Sequence, residues 1–111
     1  HFEPIVDGMW RGVNVGGTSM LARLEGLDVC GKTGTAENPR GRDHSTFLSF
    51  APKDNPKIAI SVYVENGGFG ASAALPIASL LEEYYLTDTI RRPALLDYVR
   101  NMTINYPAYD R

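Results

Sequence analysis

Two chemistries compete for one stretch of this sequence, Gly26 to Thr35. Gly26 to Thr33 satisfies G-x-x-x-x-G-K-T letter for letter, the pattern of a loop that cradles phosphates. Such a loop needs a strand before its first glycine and a helix opening at the Lys-Thr, whose free amides and dipole hold the phosphates. Neither is expected here. A helical pattern precedes Gly26, Leu27-Asp28-Val29-Cys30 has strand character, and Gly34 and Pro39 oppose a helix afterwards. Read one residue later, Lys32-Thr33-Gly34, followed by Thr35, suits the edge of a strand beside a cleft. There a lysine cation holds an anionic substrate and assists proton movement, hydroxyls receive a carboxylate, and a backbone N–H stabilises an oxyanion. A glycine in such a strand lets another backbone approach closely.

Other reactive side chains carry less. His44 follows Asp43, a pairing that can tune a general base. No serine or cysteine motif accompanies it, so a histidine that positions backbone at the start of a strand is the expectation. Cys30 shares a face with Lys32 by strand alternation, and a thiol beside a cation can ionise; a small buried filler is the expected role. Gly67 to Gly70 has no phosphate-loop pattern and reads as a strand-to-helix turn. Asn101-Met102-Thr103 fits the N-glycan acceptor triplet.

The elements that must position these residues are legible from periodicity. Phe2, Ile5, Val6, Met9, Trp10 and Val13 form the stripe of an amphipathic helix that Gly16-Gly17 ends. Thr18 or Ser19 is expected to cap a second short helix burying Met20, Leu21 and Leu24, closed by Gly26. The period then changes to that of strands, over Leu27 to Glu37, Thr46 to Ala51 and Ile58 to Glu65. In the last, Ile58, Ile60, Val62 and Val64 alternate with Ala59, Ser61, Tyr63 and Glu65. The connections at Asn38 to Gly41 and Pro52 to Pro56 are too short for a crossover helix, which predicts an antiparallel meander. A later helix should bury Ala73, Ile77, Leu80, Leu81 and Tyr84 with Pro76 in its first turn or so, and a shorter one should align Leu95, Leu96, Val99 and Met102. From Ile104 to Arg111 no period is visible, and the tail is expected to fray.

Composition bounds the rest. The 111 residues, 43% of them hydrophobic, suit one domain that buries roughly two-thirds of its unfolded surface. Eleven basic and 13 acidic residues leave a net charge of -2, which argues against nucleic acid as a partner. A single cysteine allows no internal disulfide framework and no Cys-cluster metal site. No cofactor and no metal are expected. No run approaches the ~18 apolar residues of a membrane span, and a chain that begins at His1 reads as a piece of something longer.

Five blocks, in order and spacing, carry a resemblance. Cys-Gly-Lys-Thr-Gly-Thr-Ala-Glu at 30 to 37, Asp-His at 43 to 44, Phe-Ala-Pro at 50 to 52, Asn-Pro at 55 to 56 and Glu-Asn-Gly-Gly at 65 to 68 resemble the C-terminal part of the transpeptidase domain of class B penicillin-binding proteins. The likeness is to the cell-elongation branch, penicillin-binding protein 2, and spans roughly Phe2 to Leu86. Lys32-Thr33-Gly34 matches the third element of the Ser-x-x-Lys, Ser-x-Asn, Lys-Thr-Gly set of penicillin-recognising serine enzymes.

The resemblance implies an α+β fold, a three-stranded antiparallel sheet with packed helices within a larger penicillin-binding-protein or serine β-lactamase-like domain. It divides the chain into 1–86, the transpeptidase part, and 87–111, a helical extension and tail. It implies an enzyme on the periplasmic side of the inner membrane that cross-links peptidoglycan stem peptides ending in D-Ala-D-Ala and is acylated by β-lactams. By the same carry-over, Lys32 is the motif lysine and Thr33 and Thr35 supply hydroxyls for the carboxylate of substrate or drug. The Thr35 amide donates to the oxyanion, and Gly34 is the steric gap.

The departure is large. None of Ser19, Ser45, Ser49, Ser61, Ser72 or Ser79 has a lysine three residues later, and no Ser-x-Asn occurs. The nucleophile, its lysine base and the second motif are expected before His1, in the rest of the parent domain, so this chain alone should be inactive. The alternative is a non-catalytic interaction module that keeps the fold, and a Ser-x-x-Lys upstream would separate the two. The bare apolar strand Ile58 to Glu65 further suggests self-association.

Overall fold

A computed structural model describes residues 2–104. Alternation of branched apolar residues with small or polar ones produces three strands, β1 (Cys30–Ala36), β2 (His44–Ala51) and β3 (Ile58–Val64). They pair antiparallel in the order β1-β2-β3, the meander that the short connections predict. β1 starts three residues later than expected. The Leu27 N–H bonds to Leu24 O at 3.0 Å and the Val29 N–H to Leu27 O at 3.1 Å, so local turns consume the amides that an earlier strand would need. β2 starts two residues earlier than expected, at His44.

The register sorts the sheet into two faces. Gly31, Ser49 and Ile60 align across the strands, as do Thr33, Phe47 and Val62, and then Thr35, Ser45 and Val64. This face lies under α2 (Ala74–Thr87), as the bond from the Ala74 N–H to Ser45 Oγ at 2.9 Å shows. Lys32, Leu48 and Ser61, then Gly34, Thr46 and Tyr63, align on the opposite face, where Leu48 and Tyr63 are exposed. The core gathers on the α2 side, from Val13, Ala22, Val29, Phe47, Leu75 and Ala78 among others. Burying side chains of this size is worth ~1.5–3 kcal/mol for each Val, Leu or Phe.

The helices form where expected but turn differently. α1 (Glu3–Asn14) has Pro4 in its first turn, yet Phe2 is 80% and Ile5 60% exposed and only Val13 is buried. Its C-terminal end is tied to the residue just before β1, where Asn14 Nδ2 donates to Val29 O at 2.9 Å. The expected second helix is a single 3₁₀ turn, Met20–Ala22. One tight turn offers one side to the core, so Ala22 and Leu24 are buried while Met20 and Leu21 lie half exposed. Ser19 precedes it, but its hydroxyl does not cap the turn and has no partner among the described residues.

In α2 the buried face matches the expected one only in part. Ala73 and Leu80 are buried as expected, and Leu75, Ala78, Ser79 and Glu82 are buried as well, whereas Leu81 and Tyr84 are exposed. Leu81 and Tyr84 instead line a groove facing Ile90, Leu96 and Val99, the last two on α3 (Pro93–Asn101). α2 is apolar on nearly every side, so periodicity could not choose its inner face. The expected fraying from Ile104 onward falls, beyond that residue, outside the described part.

Candidate functional site

Among the described residues β1 has one hydrogen-bonded neighbour, β2. Its other edge is open, and Lys32 to Thr35 lie along it. Alternation puts Lys32 and Gly34 on the open face and Thr33 and Thr35 on the α2 face. Lys32 and Thr35 are exposed, and Thr33 and Gly34 are half-buried. The Lys32 Nζ donates to the Thr33 carbonyl at 2.8 Å, a contact with its own neighbour that leaves the ammonium in solvent. Along this edge, a cation on one face of the strand and two threonine hydroxyls on the other are groups that can bind a carboxylate or a developing oxyanion.

Gly34 is tight for a reason the sequence did not reveal. A Cβ on it would collide with Oγ1 of Thr46, its cross-strand partner, so the gap in this chain faces Thr46. On the other face, Gly70 comes so near that its own Cβ would sit 2.6 Å from Gly34 O and 2.5 Å from Thr46 O. The loop is pinned there. Ser45 Oγ donates to Phe69 O at 2.8 Å and accepts from the Ala74 N–H. The glycine run read only as a strand-to-helix turn is also a clasp on the back of β1. Its signal is faint but present, because a glycine needed for close approach looks the same in sequence as one needed for a turn.

The loop between β1 and β2 is joined to that clasp. Asn38 Nδ2 donates to Arg42 O at 2.9 Å and to Asn66 Oδ1 at 2.6 Å. The Asn66 N–H donates to His44 Nδ1 at 3.0 Å, and the His44 ring stacks on Tyr63 with centroids 5.4 Å apart. Asp43 does not orient this imidazole; its Oδ1 accepts from the Asn38 N–H at 3.1 Å. His44 positions backbone at the start of β2, and the acid-base pairing with Asp43 is not formed. Cys30 is fully buried, and burial pushes its thiol up to about 11, so it is a neutral filler at pH 7.

Two exclusions follow. The lysine and threonine at 32 and 33 sit within β1, with no helix opening behind them, so the phosphate-loop pattern lacks the amides that would bind phosphate. Of the serines, Ser19, Ser45, Ser49 and Ser79 are buried. Ser61 is exposed but stands on β3, separated from Lys32 by Leu48 of β2, and Ser72, half-buried, lies in the turn before α2 with no lysine three residues on.

Comparison with known proteins gives this geometry a context. Residues 1–81 match the family described as penicillin binding protein transpeptidase domain. A peptidoglycan D,D-transpeptidase MrdA of Haemophilus influenzae is 36% identical over 106 residues, covering 80% of this chain and 16% of that protein. Its namesake from Acinetobacter baumannii is 36% identical over 92 residues, covering 69% of this chain and 14% of that protein. Among solved structures, Pseudomonas aeruginosa PBP2 in complex with WCK 5153 superposes with a TM-score of 0.69 at 35% identity, over 78% of this chain and 19% of that one. The imipenem acyl-enzyme complex of penicillin-binding protein A from M. tuberculosis superposes at 0.59 and 30% identity, over 75% and 19%. The chain therefore spans under a fifth of the length of these relatives.

Proposed function

Because this chain belongs to the penicillin-binding-protein transpeptidase family, we propose that Lys32, Thr33, Gly34 and Thr35 are one wall of a D,D-transpeptidase active site. The parent enzyme cross-links peptidoglycan stem peptides ending in D-Ala-D-Ala through a serine acyl-enzyme and is acylated at the same serine by β-lactams. One observation carries the reading. The Lys-Thr-Gly-Thr run lies on the open edge of β1, with its lysine exposed.

In this reading Lys32 attracts the substrate carboxylate and supports proton transfer, and the Thr33 and Thr35 hydroxyls hold that carboxylate. The Thr35 N–H faces the oxyanion, and Gly34, whose missing side chain leaves room for Thr46 of β2, keeps β1 in line along the substrate backbone. The serine, its lysine base and the Ser-x-Asn element come from the remainder of the parent domain, since the 111 residues hold neither motif. By itself the chain is then inactive.

Residues 1–86 form the transpeptidase part and 87–111 an extension. The parent acts on the periplasmic face of the inner membrane. No helix among the described residues is long and apolar enough to cross a membrane. The test is Lys32→Ala in the full-length enzyme, read by its rate of acylation with a fluorescent penicillin, which should fall.

A further inference from the structure

Next to the edge strand a carboxylic acid is buried with no cation bonded to it among the described residues. Glu82 on α2 is 1% exposed, and both its oxygens accept from the Ser49 hydroxyl, at 2.9 and 3.0 Å. Ser49 is itself fully buried and stands opposite Gly31, the residue before Lys32. The groups that bear on Glu82 are few: Ser49 from β2, Arg92 from the segment ahead of α3 and Cys30 from β1, with Glu83 beside it on α2.

Arg92 is committed elsewhere. Its Nε contacts Glu83 Oε1 at 3.2 Å, its Nη2 donates to Ser79 Oγ at 2.9 Å, and its Nη1 donates to Leu21 O at 2.9 Å. A buried carboxyl with one hydroxyl for a partner is costlier than an aliphatic side chain of its size. What it adds is a directional tie between α2 and the strand beside the Lys-Thr-Gly edge.

We propose that Glu82, acting through Ser49, is a positioning residue for Lys32 to Thr35, fixing the height of β2 beside β1 and with it the line of the edge strand. This rests on the transpeptidase reading. The tie has two states. A neutral carboxyl shares the Ser49 hydroxyl without net charge, whereas a carboxylate holds it by a stronger, charge-assisted bond and leaves a buried charge under the sheet. Burial pushes the Glu82 carboxyl up to about 7, against the opposing pull of the Ser49 bond and of Arg92, so both states are populated near neutral pH.

The experiment uses the full-length transpeptidase that contains this chain, with Glu82→Gln and Ser49→Ala variants shown to be folded by circular dichroism. The second-order rate constant for acylation by a fluorescent penicillin is measured from about pH 5.5 to 8.5. Titrations common to all forms cancel in the ratio of wild type to variant. The ratio for Glu82→Gln should change by about three-fold or more between about pH 6 and 8, and Ser49→Ala should lose the same component. If Glu82→Gln does not fold, the Ser49→Ala ratio alone decides.

A ratio constant with pH, in an enzyme whose acylation still depends on Lys32, overturns the role of Glu82 and leaves the site reading standing. A wild-type enzyme that penicillin does not acylate at any pH overturns both.

Discussion

Gly70 lies against Gly34 closely enough that a methyl group on Gly70 would stand 2.6 Å from the Gly34 carbonyl oxygen and 2.9 Å from its nitrogen. A contact that short cannot be met by rotating a side chain, because the atoms on the other side are backbone. Gly70→Ala must therefore move either the loop or β1. We expect it to cost ~1–3 kcal/mol of stability, as overpacking does, and to slow acylation of the full-length enzyme about ten-fold or more, because the strand that moves bears Lys32 and Thr35. Thermal unfolding alongside acylation kinetics checks both. An unchanged rate in a destabilised protein would make the clasp purely structural.

Glu82 also predicts how stability varies with pH. Its carboxyl goes from 4.5 to about 7 on folding, mainly through burial. Between those values the folded chain holds a proton that the unfolded chain has released, so stability falls as pH rises through this window. It is highest, as far as this group decides, below 4.5. Above about 7 the full penalty is present, roughly 3 kcal/mol from the size of the shift. Glu82→Gln removes the titration, so denaturant midpoints should favour the variant at pH 8 and converge with wild type near pH 5. An equal difference at both values would mean that the buried carboxyl does not change charge in this range.

The outer edge of β3 predicts self-association. Ile58–Val64 contains no proline, no lysine and no acidic residue, and among the described residues its only partner is β2. Such an edge is a template for another strand. Light scattering of the isolated chain over a concentration series should show dimers or larger species. A strictly monomeric chain at high concentration would mean that this edge is covered.

Much of the scaffold was legible because strands announce themselves by alternation and connections by their length. The order of the three strands, the place of Lys32 to Thr35 on β1, the backbone role of His44 and the burial of Cys30 all follow from local pattern. Helix orientation did not. Periodicity groups Phe2, Ile5 and Met9 on one side of α1, but only tertiary packing decides whether that side is covered, and Phe2 and Ile5 remain exposed. In α2, Ile77, Leu81 and Tyr84 looked no less suited to a core than Leu75 and Ala78.

The supports of the candidate site were hidden for another reason. Gly70 over Gly34 and Glu82 under Ser49 are contacts between segments distant in sequence, and neither residue type advertises them. A glutamate reads as surface until a buried hydroxyl is found to meet it. Cys-Gly-Lys-Thr-Gly-Thr-Ala-Glu with its accompanying blocks pointed to the family, whose match over residues 1–81 agrees.

The central claim is that Lys32 supplies charge to an acylation site, and one substitution addresses it directly. In the full-length enzyme, Lys32→Ala removes the ammonium and leaves the backbone of β1 in place, since this side chain is exposed and, among the described residues, bonds only its neighbour's carbonyl. Acylation by a fluorescent penicillin should slow by about ten-fold or more, with the circular dichroism spectrum and the melting temperature unchanged. Acylation at the wild-type rate would contradict the account, and Lys32 would then be a solvated lysine on a strand edge.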